Sequence, residues 1–362
     1  MSTRFRAGAL CGKGTGPVRL TSIPRVDIAH LPTPLEPAPN LSKALGGPEI
    51  WIKRDDLTGL ALGGNKARKL EFLVADALQQ EATVLMTAGA PQSNHCRQTA
   101  AAARKAGMKS VLIFAPYSKH YGSTDPDQAA QGNLLLDKIM GAQIEWYHGD
   151  WQDRLAFMDQ IAADLRDKGE RPYVIPGGGS NPVGATAYVN AVYETMSQLR
   201  ELSLNATHWY TTSSTSGGTH AGLALGVKLA HAPFIVVGSA CDQDAAKTKS
   251  VVVPLSNATA EHIGTDVRVS EDEVIVDDSY YLPSYGIPNE GCLEAIEIAA
   301  RTEGLLLDPV YTGKTMSALI DHVRKGKLTS NDTVIFHHTG GTPALFAQAG
   351  DIAESFEKPE GN

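Results

Sequence analysis

Lys66 follows Gly63, Gly64 and Asn65, and an apolar stripe at helical spacing (Leu70, Leu73, Val74, Ala77) begins directly after it. A lysine amine is the side chain that condenses with a carbonyl cofactor, and paired glycines let a backbone approach something flat or charged. Lys69, three residues on, shares the same helical face. The plain alternative is a loop and a solvated helix start. A second segment, Ser213 to Gly222 (SSTSGGTHAG), follows an apolar run and opens an Ala/Leu-rich one. Amide groups at such a helix start point at an anion, and Ser214, Thr215, Ser216 and Thr219 add hydroxyls. Neither a GxGxxG nor a Walker pattern is present, so a single phosphate is implied and a nucleotide is not. Read as structure alone, the segment is a tight turn with a threonine cap.

Three further segments complete the set. In GAPQSNHCRQ (89–98), Ser93 is placed to cap a helix, and its hydroxyl with the Asn94 amide could hold a substrate carboxylate. His95 and Cys96 are neighbours on that helix and point about 100° apart, so they make no thiol–imidazole dyad. In DPVYTGKTMS (308–317), Tyr311 and Thr312 precede a glycine and a helix. In HHTGGT (337–342), no third ligand stands at a fitting spacing for His337 and His338, which are read as packing residues.

The elements that must position these residues alternate. Strands are expected at 83–88, 110–115, 143–147, 172–176, 207–213, 234–239 and 333–337. Helices are expected at 94–107, 128–140, 151–168, 219–230 and 291–303. Segments 116–127 and 176–184 read as loops. Strand–helix alternation implies an α/β fold with parallel-rich sheets covered by helices. In such folds ligands gather at the carboxyl ends of strands. The Gly/Ser/Thr/Asn clusters at 87–95, 213–219 and 338–342 all fall there, which points to one site built from distant segments.

Composition narrows the classes. The 362 residues carry a net charge of −8, against the basic surplus of a nucleic-acid binder. No run of about 18 apolar residues predicts a membrane span. Residues 1–24 read as an ordinary extension and not as a secretory signal. The four cysteines (Cys11, Cys96, Cys241, Cys292) form no CxxC pair, so neither a metal nor a disulfide framework is expected and a reducing cytoplasm fits.

Taken together, the five segments resemble the fold-type II enzymes that use pyridoxal 5′-phosphate (PLP). More narrowly they are similar to the group containing 1-aminocyclopropane-1-carboxylate (ACC) deaminase and D-cysteine desulfhydrase. The resemblance runs from about Arg25 to Ala347. It implies a larger PLP-binding domain from 1–66 and 182–362, a smaller one from 67–181, and a cofactor in the cleft between them. Lys66 would form the Schiff base. Ser216, Gly217, Gly218 and Thr219 would hold the phosphate, helped by Lys69. Asn94 would bond the ring's phenolic oxygen. Ser93 with His95 would face the substrate carboxylate, and Tyr285 and Tyr311 would flank the substrate. Thr312 would stand where ACC deaminases resemble VYEGK, with a glutamate facing the pyridine nitrogen. Ser93-Asn94-His95 replaces SNQ, and His338-Thr339-Gly340-Gly341 replaces HLGG, bringing Thr339 to the substrate side. All three departures follow the desulfhydrase pattern. The resemblance thus implies β-elimination from a small sulfur-containing amino acid, first D-cysteine, with Lys66 as base for the α-proton. The alternatives are an L-cysteate sulfo-lyase, for which Lys119 and His120 are candidate cations, and an ACC deaminase. From another class stands a non-catalytic small-ligand binding protein. The family also implies a homodimer.

Overall fold

A computed structural model describes residues 5–6, 20–115, 131–149 and 153–356. Lys119, His120 and Cys11 lie outside the described residues. The chain runs β1 (Phe5–Arg6), β2 (Arg25–Val26), β3 (Leu35–Pro37), α1 (Pro39–Leu45), β4 (Glu49–Arg54), α2 (Lys66–Gln79), β5 (Val84–Gly89), α3 (Asn94–Lys105), β6 (Lys109–Phe114) and α4 (Gly132–Ile139). It continues through β7 (Gln143–Trp146), α5 (Arg154–Asp167), β8 (Pro172–Val174), α6 (Pro182–Glu201), β9 (His208–Ser213), α7 (Gly218–Ala230), β10 (Ile235–Ala240) and α8 (Ala245–His262). The last elements are β11 (Ile275–Asp277), α9 (Glu290–Glu303), α10 (Thr312–Arg324), β12 (Thr333–His338) and α11 (Pro343–Ala347).

Two main sheets result. One has the order β7-β6-β5-β8 and is wholly parallel. The other has the order β11-β10-β9-β12-β4-β3 and is parallel except for β3, which runs antiparallel beside β4. Strands covered on both faces must be apolar throughout, and every residue of β5 is buried. The expected alternation therefore holds, and the fold is α/β with parallel-rich sheets. The expected helix at 128–140 starts at Gly132, and the loop expected at 176–184 ends early because α6 begins at Pro182. There the Asn181 side chain caps the helix by accepting from the Gly184 amide, and Pro182 occupies a first-turn position that needs no donor. Among the described residues no helix is long and apolar enough to cross a membrane.

A buried ionic group pins α2 beneath the site. The Asp55 carboxylate accepts from Arg68 Nε (2.9 Å), Tyr188 Oη (2.7 Å), Thr33 Oγ1 (2.9 Å) and His337 Nε2 (2.9 Å). Arg68 also donates to Glu194, which takes Lys53 Nζ at 2.6 Å. Burial alone would raise Asp55, but Arg68 and His337 hold it well below the usual carboxylate range. His337 is thus a structural histidine, as the sequence reading has it.

Candidate active site

The carboxyl ends of both sheets open onto one cavity of about 320 Å³. From the four-stranded sheet come Ala88 and Gly89 at the end of β5, then Ser93, Asn94 and His95 at the start of α3. From the six-stranded sheet come Thr212 to Thr219, Asp242, and Thr339 with Gly340. Asn65, Lys66, Gly178, Ser180, Tyr285 and Tyr311 also line it. Of the cofactor and substrate residues expected from sequence, all of them among the described residues, Lys69 and Thr312 are absent from the wall.

Lys66 sits at the first position of α2, and its Nζ donates to Asn65 Oδ1 (3.1 Å). Asn65 in turn donates to Thr219 Oγ1 (3.1 Å), tying the lysine turn to the start of α7. The glycine pairs explain how the turn gets there. A Cβ on Gly340 would stand 2.7 Å from Gly64 Cα, so the two loops pack backbone against backbone. Burial lowers the Lys66 amine to about 8, with the Cys241 thiol opposing the shift weakly.

Lys69 lies just behind the serine-rich turn. Its Nζ donates to Gly178 O (3.1 Å) and Ser180 Oγ (3.4 Å), and no carboxylate pairs with it among the described residues. Burial, with the charge of Lys66 adding, pushes it well below an ordinary lysine. Ser180 Oγ also accepts from the Gly218 amide (3.2 Å). The next two amides of α7, Thr219 and His220, have no acceptor within the helix. Gly217, at φ +63°, makes the turn possible, and Asp242 holds it from outside by accepting from Thr215 N (2.9 Å). Two buried amines without a carboxylate, facing free amides at a thirteen-residue helix, form a receptor for an anion.

Asn94 keeps a donor free for the cavity. Asn94 Oδ1 accepts from Arg97 Nη1 (3.2 Å) and Asn133 Nδ2 (3.0 Å), which turns its NH₂ the other way. Ser93 caps α3 by accepting from Cys96 N (3.2 Å), and its side chain also hydrogen-bonds that of Cys96. Tyr285 and Tyr311 share a hydrogen bond between their phenols, with rings edge to face at 5.8 Å. Lys314 Nζ fastens the loop carrying Tyr285 by donating to Tyr281 O and Ser284 O, both at 2.8 Å.

Two sequence assignments need correction. The Thr312 hydroxyl does not face the cavity. It donates to Asp308 Oδ2 (2.7 Å) and accepts from Asp308 N (2.8 Å), so Asp308 consumes it in the turn that starts α10. His95 lines the cavity but is not a carboxylate donor. Thr87 gives its hydrogen to Ile175 O (2.8 Å), so His95 Nε2–H donates to Thr87 Oγ1 (2.8 Å) and Nδ1 is a lone pair without a partner. Burial, then the charges of Lys66 and Lys69, keep the ring neutral. Cys96 is fully buried, and burial pushes its thiol up, which suits packing. His338 is likewise internal, reaching Leu306 O at 3.2 Å. Among the described residues no three His, Cys, Asp or Glu side chains group as metal ligands. Asn65, Ser180, Thr212 and Asp242 escaped the sequence reading. The signal for Ser180 was its place after three glycines and before Asn-Pro.

An amine held near neutrality, an anion receptor at a helix start and a free amide between two parallel sheets define a PLP site. The chain belongs to the pyridoxal-phosphate dependent enzyme family, whose model matches residues 26–340, and its fold is the fold-type II arrangement. PLP is its cofactor. It is 43% identical to the D-cysteine desulfhydrase of Klebsiella pneumoniae over 91% of this chain and 97% of that one. It is 42% identical to the D-cysteine desulfhydrase of Salmonella typhi over the same shares. The solved structure of an ACC deaminase homologue superposes with a TM-score of 0.83, at 36% identity, covering 92% of this chain and 97% of the other. A threonine deaminase isoform from Solanum lycopersicum, 14% identical over 90% of this chain and 83% of its own, shares the fold alone at a TM-score of 0.62.

Proposed function

We propose that this protein is a PLP-dependent carbon–sulfur lyase converting D-cysteine and water to pyruvate, ammonia and sulfide. The observation that carries the reading is the 42–43% identity to D-cysteine desulfhydrases across 91% of the chain. PLP, when bound, supplies an electron sink for the carbanion formed at the substrate α-carbon. Lys66 would hold the cofactor, and its amine, when free of that link, would accept the α-proton. A pKa lowered to about 8 suits that exchange near neutral pH. Ser216, Gly217, Gly218 and Thr219 would hold the phosphate with Lys69 behind them. Asn94 would donate to the ring's phenolic oxygen.

Ser93, on the cavity wall, would meet the substrate carboxylate. The neutral His95 presents only an acceptor, which disfavours an anionic group beside it. Tyr285 and Tyr311 close the substrate end, with Thr339 opposite. Loss of the α-proton and of HS⁻ leaves 2-aminoacrylate, which water converts to pyruvate and ammonia. We assign the larger domain to 1–66 and 182–362 and the smaller to 67–181, since each main sheet draws its strands from one of these sets. The protein acts in the cytoplasm as a homodimer.

The test offers D-cysteine, L-cysteine, L-cysteate and ACC side by side, with Lys66→Ala as control. D-cysteine is expected to give equal pyruvate and sulfide, and the variant none. Sulfite from L-cysteate, or 2-oxobutyrate from ACC, as the dominant product would replace the proposal. A colourless, inert protein would make it a binding protein.

A further inference from the structure

Arg97 has a place in the structure that no role above explains. It is wholly buried on α3. Its Nη2 donates to Gly63 O (2.5 Å), and its Nη1 donates to Asn133 Oδ1 (2.7 Å) and Asn94 Oδ1 (3.2 Å). These acceptors belong to three separate pieces: the glycine turn ahead of Lys66, the cavity end of α3, and the first turn of α4. Asn133 closes the figure by donating to Asn94 Oδ1 (3.0 Å) and Gln92 O (2.8 Å). No acceptor in this set is charged. Asp137 lies one turn further along α4, yet neither of its carboxyl oxygens has a hydrogen-bond partner among the described residues. Burial lifts that carboxyl to about 8 with the Arg97 charge opposing, and burial lowers Arg97 to about 10 with Asp137 opposing, so the two are coupled through space without a hydrogen bond to the carboxyl.

We infer that Arg97 is a positioning residue for the reaction, a strut that fixes the Lys66 turn and the Asn94 amide relative to each other. A planar fork holds two directions at once, which a lysine cannot do. Its charge on Asn94 Oδ1 also polarises the amide, making the NH₂ a stronger donor toward the cavity. The inference rests on the reading that PLP occupies this cavity. Cys241, Lys69 and His95 interact electrostatically with Lys66, and Arg154, His220, Asp242, Tyr285 and Tyr311 share its cavity. A change at residue 97 touches none of them and reaches the amine through Gly63 and Asn94.

The experiment loads the wild type, Arg97→Met, Arg97→Lys and Asn133→Ala with PLP. It reads the pH at which the visible absorbance of the bound cofactor changes, together with kcat/KM on D-cysteine. Losing a nearby cation and an oriented donor both favour the protonated form of the cofactor's nitrogen link. Arg97→Met should therefore raise the midpoint by about one pH unit and lower kcat/KM by about a hundredfold. Arg97→Lys keeps the charge but not the fork, so its midpoint should move less while kcat/KM still falls. Asn133→Ala removes one partner and should shift the midpoint in the same direction by less. If Arg97→Met does not fold, Asn133→Ala decides alone. Loaded variants with the wild-type midpoint and kcat/KM, whatever their stability, would overturn the inference. A colourless wild type after incubation with PLP would overturn the cofactor reading, and the strut with it.

Discussion

Thr312 shows how a residue type can be right for a site and still be spent elsewhere. Its hydroxyl is locked into both polar groups of Asp308, whose carboxylate also accepts the amides of Val310 and Tyr311 at 2.8 Å. The sequence DPVYT is thus a turn that aims Tyr311, with Thr312 as its fastener. Thr312→Val should cost about 1–3 kcal/mol in urea unfolding, since a buried carboxylate loses a donor. Thr312→Ser should recover most of it. The visible spectrum of the loaded Val variant should match the wild type. Wild-type stability with a displaced spectrum would instead return the hydroxyl to the cofactor ring. His95 teaches the same lesson about protonation. Its tautomer is fixed by Thr87 and Ile175, and only the folded sheet makes that arrangement visible.

At the scale of elements, α2 brings Lys66 to the cavity and Lys69 just behind its wall, and anchors itself through Arg68 on another face. The anchor joins α2, α6, β4 and β12 through Asp55, Glu194, Lys53 and His337. Asp55→Ala would leave Arg68 with Glu194 alone and take the acceptor from Tyr188 and His337, and a broken buried pair costs about 3–5 kcal/mol. Urea unfolding at pH 7 should show that loss in full. Asp55 is held below its unfolded value, so its stabilisation is complete above the unfolded pKa and fades as pH falls through the folded one. A loss under about 1 kcal/mol at pH 7 would mean that Glu194 alone satisfies Arg68. How legible these elements were depended on local signal. The strands from β5 to β10 and the helix after Lys66 announced themselves by apolar runs and spacing. Two long helices did not. In α6 the glycines at 177–179 pull the reading toward loop, although Asn181-Pro182 marks a helix start. In α8 the run Val251 to Val253 followed by Pro254 has the chemistry of a strand end, yet tertiary packing makes it helix. The ionic anchor was illegible because its members lie up to 282 positions apart.

The whole molecule folds two sheets so that their carboxyl ends share one cavity, and this buries positive charge that the chain itself does not neutralise. Lys66 lines that cavity with Lys69 just behind it, and Arg154 and Asp242 share the wall, in a protein whose net charge is −8. The cofactor-free form must therefore bear a cost that an anion removes. Lys66 is lowered by burial from the ordinary 10.5 to about 8, and Lys69 is lowered in the same direction. For a depressed lysine the folded state binds fewer protons than the unfolded one between the two pKa values. Stability then climbs with pH across that window and is lost as pH falls through 8. Protein stripped of cofactor should accordingly melt lower at pH 7 than at pH 9. Inorganic phosphate at about a hundred times its dissociation constant should restore about 2.7 kcal/mol, which is a rise of several degrees in melting temperature. The rise should shrink at pH 9, where the amines have shed protons, and should be smaller in Lys69→Met. Scanning calorimetry against an equal ionic strength of chloride separates the specific anion from screening. If chloride matched phosphate, or if Lys69→Met responded like the wild type, the buried amines would not be what the anion neutralises.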